Sequence, residues 1–248
     1  MDRKISKTND DVDFFNARLD EVRMSGHERL RAKARMAQVP HVAVHRLNPR
    51  HRDDIARHLL LLPADDRRLR FGQHIRDEAV RDYVDRIDFE RDRVFGVHAA
   101  DLTPVGVAHL ALEPVHQVAE LGLSVDPACR GKGHGFALLQ RAVLHAANLG
   151  YRVLFMYCLA ENRIMMHLAR KAGLTLVVEY GETDARLTLD RGMHGGALKE
   201  AMADQFALVD CMLKQQYLWL ARPKSGGEKS DREVLPGERR EGALAGIA

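Results

Sequence analysis

The stretch Val125-Asp-Pro-Ala-Cys-Arg130-Gly-Lys-Gly-His-Gly135 sets three glycines at alternate positions beside an arginine and a lysine. The spacing predicts a strand ending at Val125, a turn at Pro127 and a helix that starts within the glycines. A helix start exposes unpaired N–H groups and a partial positive charge, a combination that binds phosphate. Gly131, Gly133 and Gly135 carry no side chains, so a pyrophosphate could approach the backbone, while Arg130 and Lys132 add charge. The loop is not a dinucleotide fingerprint, because Phe136 stands where GxGxxG needs its last glycine. Nor is it a P-loop, because His134 follows Lys132-Gly133 where a serine or threonine belongs. Taken alone, the glycines read equally well as a strand-to-helix turn.

The residues before the loop alternate strictly. Ala119, Leu121, Leu123 and Val125 point one way; Glu120, Gly122 and Ser124 point the other. Gly122 and Ser124 leave room for a ligand, and a glycine inside a strand often marks a bulge or a close approach. Glu120 shares that face, which makes its carboxylate a candidate for proton transfer. The alternative is a surface glutamate on a half-exposed strand. On the preceding segment, Val105 to Leu112, every residue but His109 suits a central strand.

These residues need elements to hold them. A first strand is expected around Val42, Val44 and Leu47, then a helix from Pro49 to Leu62 with Ile55, Leu59 and Leu62 on one face. Pro63-Ala-Asp-Asp reads as a turn, and Asp77 to Ile87 as a helix. Strands follow at Arg93–Ala99, Val105–Leu112 and Val118–Val125. The pattern then changes to a helix over Phe136–Asn148, a strand over Arg152–Tyr157 and a helix over Glu161–Ala172 closed by Gly173. Leu174–Tyr180 and Ala185–Leu189 suit a hairpin around Gly181. The expected fold class is therefore α/β (α+β): a mixed, mostly antiparallel central sheet flanked by helices.

Helical extensions flank this core. Residues 1–38 are polar and helix-favouring, with Phe15, Leu19 and Val22 at helical spacing. Residues 192–222 hold a helix whose Leu198, Met202, Phe206, Val209, Leu213 and Leu220 form a seam. That seam could dock on the chain's own core or on a second copy, making a homodimer. From 223 to 248 the chain is rich in Gly, Glu, Lys and Arg and is expected to be disordered. The core domain would then run from 39 to 191.

Composition excludes several classes. With 46% hydrophobic and 29% charged residues the chain is globular, and a net charge of +3 demands no polyanionic partner. A basic run from Arg23 to His58 is more simply a solvated helix face, so nucleic-acid binding is not expected. Three separated cysteines fit a reducing compartment, and thirteen histidines show no metal-ligand spacing. No apolar leader and no membrane-spanning stretch is evident, so a soluble, cytoplasmic protein is expected.

Arg130-Gly-Lys-Gly-His-Gly135, preceded by Val125-Asp-Pro, resembles the acetyl-CoA loop of the GNAT superfamily of N-acetyltransferases. Further on, Glu161-Asn162-Arg-Ile-Met165-Met-His-Leu168-Ala-Arg-Lys171-Ala-Gly173-Leu174 resembles the family's second signature, a helix that packs along the cofactor. The order of elements from about 41 to 190 matches as well. Arg68-Leu-Arg-Phe71, Asp88-Phe-Glu-Arg, Ala119-Glu120 and Asn162-x-x-Met165-x-x-Leu168-Ala169 resemble the acetyltransferase domain of bacterial Pat-type protein lysine acetyltransferases.

The resemblance implies the GNAT fold, acetyl-CoA as cosubstrate and an amine acceptor, either a protein lysine or a small molecule. An acceptor amine is mostly ammonium at neutral pH and needs a base, the role the resemblance gives Glu120. It also implies oxyanion donors from the backbone of the Leu123–Val125 segment, freed where a bulge splays that strand from the next. Asn162 would either bond the cofactor or cap its helix. Lys171 would either reach a phosphate or complement the helix dipole. Where many GNAT enzymes carry an acidic tyrosine, this chain has Ala169. His167 lies on another side of the helix, and Tyr157 is the remaining candidate acid. A non-catalytic acyl-CoA-binding module is the third reading.

Overall fold

The computed structural model describes residues 26–37, 42–179, 182–189 and 196–221. Strands β1 (His45–Leu47), β2 (Arg93–His98), β3 (Pro104–Glu113), β4 (Val118–Val125), β5 (Val153–Leu159), β6 (Thr175–Glu179) and β7 (Glu182–Thr188) form one sheet in the order β1-β2-β3-β4-β5-β7-β6. Only β4 and β5 run parallel; all other neighbours are antiparallel. The helices are α1 (Gly26–Ala37), α2 (Arg52–Leu61), α3 (Ala64–Phe71), α4 (Asp77–Asp85), α5 (His134–Asn148), α6 (Arg163–Ala172) and α7 (Gly196–Leu220). This is the mixed, mostly antiparallel sheet flanked by helices that the sequence implied. The apolar positions Phe15, Leu19 and Val22, the turn at Gly181 and the tail from 223 lie outside the described residues.

The alternation in the strands sorts their side chains onto two cores. On one face Phe95, Leu110, Ala119, Leu121 and Leu123 pack against Leu138, Leu139, Ala142 and Ala146 of α5. On the other face Val94 and Val107 pack against Ile55 and Leu59 of α2 and Val80 and Val84 of α4. Burying each of the Val, Leu, Ile and Phe side chains contributes roughly 1.5–3 kcal/mol before the entropy of ordering them is subtracted. α6 ends at Gly173, whose φ of +86° favours glycine. A Cβ there would also press on Ala32 of α1, so α1 is seated against α6 rather than trailing free.

Two readings of the sequence need correction. Pro63-Ala-Asp-Asp opens a helix, α3, rather than only a turn. Asp65 and Asp66 in its first turn and Arg68 and Arg70 in its last complement the helix dipole, and Gly72 at φ +74° closes it. The seam on α7 does not dock on the chain's own core. Leu198, Met202, Phe206, Val209, Leu213 and Leu220 are all exposed, whereas Ala207 is buried. The polar face of α7 does the docking. Glu200 bonds His145 and Asn148, Asp204 pairs with Arg141, Asp210 with His45, and Lys214 donates to the His98 carbonyl. Burial alone would raise the Glu200 carboxyl, but the bonds from His145 and Asn148 bring it to about 2.

Candidate active site

β4 treats its two neighbours differently. Against β3 it keeps register over eight pairs, from Gly106↔Val125 to Glu113↔Val118. Against β5 it pairs only at Val118↔Val153, Ala119↔Leu154 and Glu120↔Phe155. The strands have diverged beyond Glu120, and no bulge is involved, because the β3 register never shifts. That corrects the bulge that the family resemblance implied. Parity settles where the amides point. Asp126 N–H donates to the Val105 carbonyl at 2.8 Å, so alternate N–H groups back along β4 face β3. The N–H groups of Leu123 and Val125 have the opposite parity and face the opening.

The glycine loop lies at the end of that opening. Asp126 Oδ1 accepts from Ala128 N–H and fixes a tight turn over Pro127–Cys129. Gly131 and Gly133 adopt φ +77° and +85°, and a Cβ on either would meet nothing within 4 Å. Residues 131–133 are exposed, and no side chain caps the α5 N-terminus. The buried Nδ1 of His134, in the first turn, has no hydrogen-bond partner. Open amides, absent side chains and an orphaned ring nitrogen fit an anionic group such as a pyrophosphate. Arg130 is held sideways, donating through Nε to the Val125 carbonyl and pairing with Asp66 of α3 at 2.7 Å. Lys132 stays exposed. Lys171 places its ammonium 4.6 Å from the centre of the Phe136 ring, beside this helix start.

The face that carries Glu120 is polar where the strands part. The row Ala111↔Glu120↔Phe155↔Arg186 crosses four strands on one face. Phe155 stacks with Tyr157, which is exposed, and the Arg186 guanidinium covers Phe155. Ser124 Oγ lies 2.9 Å from His58 Nε2, both buried. Burial holds the His58 imidazole down to about 4, so it is neutral at pH 7. Opposite Gly122 stands His109, which links Asp92 (3.1 Å) to the Tyr83 hydroxyl (2.7 Å), and that hydroxyl accepts from Arg70 Nη2 (2.9 Å). Burial would raise Asp92, but bonds from His109, Arg91 and the Leu112 amide keep its carboxyl low. The Arg70 guanidinium occupies the space that a Cβ on Gly122 would need.

The structure thus brings Glu120, Leu123, Val125 and residues 130–135 around one cleft. Asn162 acts as a helix cap, its Oδ1 accepting from Met165 N–H at 3.0 Å. Ala169 is fully buried and His167 exposed on the solvent side of α6. Sequence reasoning missed α3 as a strap over the cleft. Its Asp66 grips Arg130, its Arg68 pairs with Glu161, and its Arg70 covers Gly122. The acid-first, base-last pattern before Gly72 was the available signal.

Residues 62–174 match the profile of the Acetyltransferase (GNAT) family. That stretch, a little under half of the chain, is similar to GNAT-family acetyltransferase domains. It is 41% identical over 58 residues to a Bacillus subtilis (strain 168) protein named as a candidate phosphinothricin acetyltransferase, YwnH, covering 23% of this chain and 36% of that one. It is 38% identical over 55 residues to the mycothiol acetyltransferase of Propionibacterium freudenreichii subsp. shermanii, covering 22% of this chain and 18% of that one. The matches therefore span only about a third and a fifth of these relatives. Among solved structures, the GNAT domain of S. lividans PAT superposes with a TM-score of 0.51 at 18% identity, over 59% of this chain and 89% of that one. The spermidine N-acetyltransferase from Vibrio cholerae, in complex with CoA and spermine, gives 0.50 at 16%, over 60% and 96%. At such identities these superpositions show the shared GNAT fold.

Proposed function

We propose that the chain is an acetyl-CoA-dependent N-acetyltransferase acting on a primary amine, with residues 39–191 as its catalytic domain. The observation that carries this reading is the divergence of β4 from β5 beside an uncapped, glycine-lined helix start. Bound acetyl-CoA would supply the activated thioester. The amides of residues 131–135 would take its pyrophosphate, with Arg130, Lys132, His134 and Lys171 around them. Glu120 accepts the proton of the acceptor ammonium. The N–H groups of Leu123 and Val125 donate to the oxygen on which negative charge develops. Asn162 contributes by fixing α6. With Ala169 at the position of the usual acid, no dedicated acid is assigned; a thiol of pKa about 8.5 leaves as thiolate without one.

The Pat-like segments support a protein lysine as acceptor. The names of the two curated relatives point instead to small molecules. Release of CoA from acetyl-CoA, followed with a panel of small amines and with protein lysate, separates the readings. Product on lysate alone supports the first and product on small amines the second. Acetyl-CoA binding without turnover on either would make the chain a regulatory binding module and overturn the catalytic reading.

The exposed apolar residues of α7 support a homodimer through that helix. Light scattering should report a dimer that Phe206→Glu with Leu213→Glu converts to a monomer; a monomeric parent would rule the dimer out. A cytoplasmic location fits three free thiols, and a net charge of only +3 calls for no nucleic-acid partner. No helix among the described residues is long and apolar enough to cross a membrane.

A further inference from the structure

We infer that the acceptor is an amine that also carries a carboxylate or a similar oxyanion, read by Arg70 and Arg186. This rests on the acetyltransferase reading above and names the substrate class of the same site. Both guanidiniums lie on the face of the sheet that carries Glu120. Arg70 sits against Gly122, two residues along β4, and Arg186 belongs to the row Glu120↔Phe155↔Arg186 two strands away. Adjacent strands lie roughly 4.8 Å apart and residues advance about 3.4 Å each along a strand. On that spacing the Arg70 guanidinium stands roughly 7 Å from Glu120 along β4 and the Arg186 backbone roughly 10 Å from it across the sheet, so long side chains at both positions reach toward an acceptor whose amine meets Glu120.

Neither guanidinium has a carboxylate partner among the described residues. Arg70 donates to the Tyr83 hydroxyl and lies over the Phe71 and Tyr83 rings. Arg186 lies over the Phe155 ring, and its Nε and Nη1 are buried with no hydrogen-bond partner. Leaving donors of a charged group buried and unmet is costly, and an oxyanion bound beside Phe155 would meet those of Arg186. The contrast with the rest of the cleft is direct, because Arg68 and Arg130 there are each spent on a carboxylate, Glu161 and Asp66.

Arg70 is also held in place. Asp92, anchored by the Leu112 amide, fixes His109; His109 fixes the Tyr83 hydroxyl; that hydroxyl holds Nη2. A preorganised fork of this kind suits a planar carboxylate and loses little freedom on binding it. Two cations here repel polyamines, and they also favour the uncharged form of an acceptor amine, the form that attacks.

The experiment compares matched acceptors with acetyl-CoA: L-alanine with L-alaninamide, L-lysine with L-lysinamide, and 4-aminobutyrate with its amide. Spermidine and a lysine peptide with acidic neighbours complete the set. The expected result is a preference for the free acid in at least one pair by roughly 10–100-fold in kcat/KM, carried by KM. Arg70→Gln and Arg186→Gln should each collapse that ratio toward one, with Arg70→Lys restoring part of it. A preference for the acidic peptide over every free amino acid would place the same anion on a protein substrate and support the proposal. Equal use of acids and amides, preference for spermidine, or an unchanged ratio in both glutamine variants would overturn it. If acetyl-CoA binds but no acceptor turns over, the transferase reading fails separately. Calorimetric titration of L-alanine, L-lysine and 4-aminobutyrate into CoA-saturated protein then decides. Binding that Arg70→Gln and Arg186→Gln weaken supports the proposal, and absence of binding, or binding that both variants leave intact, overturns it.

Discussion

The two flanks of β4 are made of the same residues and do opposite things. Toward β3 the strand is zipped over its full length; toward β5 it is joined at one end and open at the other. The closed flank supplies rigidity. The open flank supplies N–H groups without a neighbouring strand, a glycine, a carboxylate and a helix start. The lesson is that the candidate site is a gap in the sheet, and the strand beside the gap can stay straight because its other edge is fully held.

That contrast predicts different losses on the two flanks. Glu120→Gln changes one atom where the last β4–β5 pair ends and the open flank begins, and should lower turnover near neutral pH by roughly 10²–10⁴-fold, with the deficit shrinking as pH rises toward the acceptor's own pKa. Stability should move little. Leu110→Ala, on the closed flank and fully buried, should cost about 2–5 kcal/mol of stability in urea unfolding. Equal stability losses from both variants would break the distinction.

A smaller effect sharpens it. His58 is neutral and buried against Ser124, with its imidazole lowered to about 4 from 6.5. Between those values the unfolded chain binds the proton that the folded chain refuses. Stability is therefore complete above pH 6.5 and falls as pH drops toward 4, by about 3 kcal/mol for this group. His58→Gln should flatten that part of the stability–pH curve measured by denaturant titration. A variant with the parental slope would place the titration elsewhere, His98 being the other imidazole lowered to about 4.

Much of this was legible from residues close in sequence. The alternation of Val118–Val125 placed Glu120, Gly122 and Ser124 on one face, and the glycine spacing marked the helix start. Partners far apart in the chain were not legible. Nothing local joins Ser124 to His58 or Arg70 to Tyr83 and His109. The divergence from β5 was implied by family resemblance, but the cause expected for it, a bulge, was wrong. On α7 the apolar stripe does not mark the face that docks on the chain's own core, because ion pairs with Arg141, His145 and His45 decide how that helix sits.

The central claim is that the opening beside β4 is an acetyl-CoA site, and calorimetry tests it most directly. Acetyl-CoA titrated into the parent should bind at a single site. Gly133→Val forces a β-branched side chain onto a φ of +85° at the N-cap of α5 and should abolish that binding while the thermal melt still shows a folded protein. A folded Gly133→Val protein that binds acetyl-CoA as tightly as the parent, or a parent that does not bind it, would contradict the account.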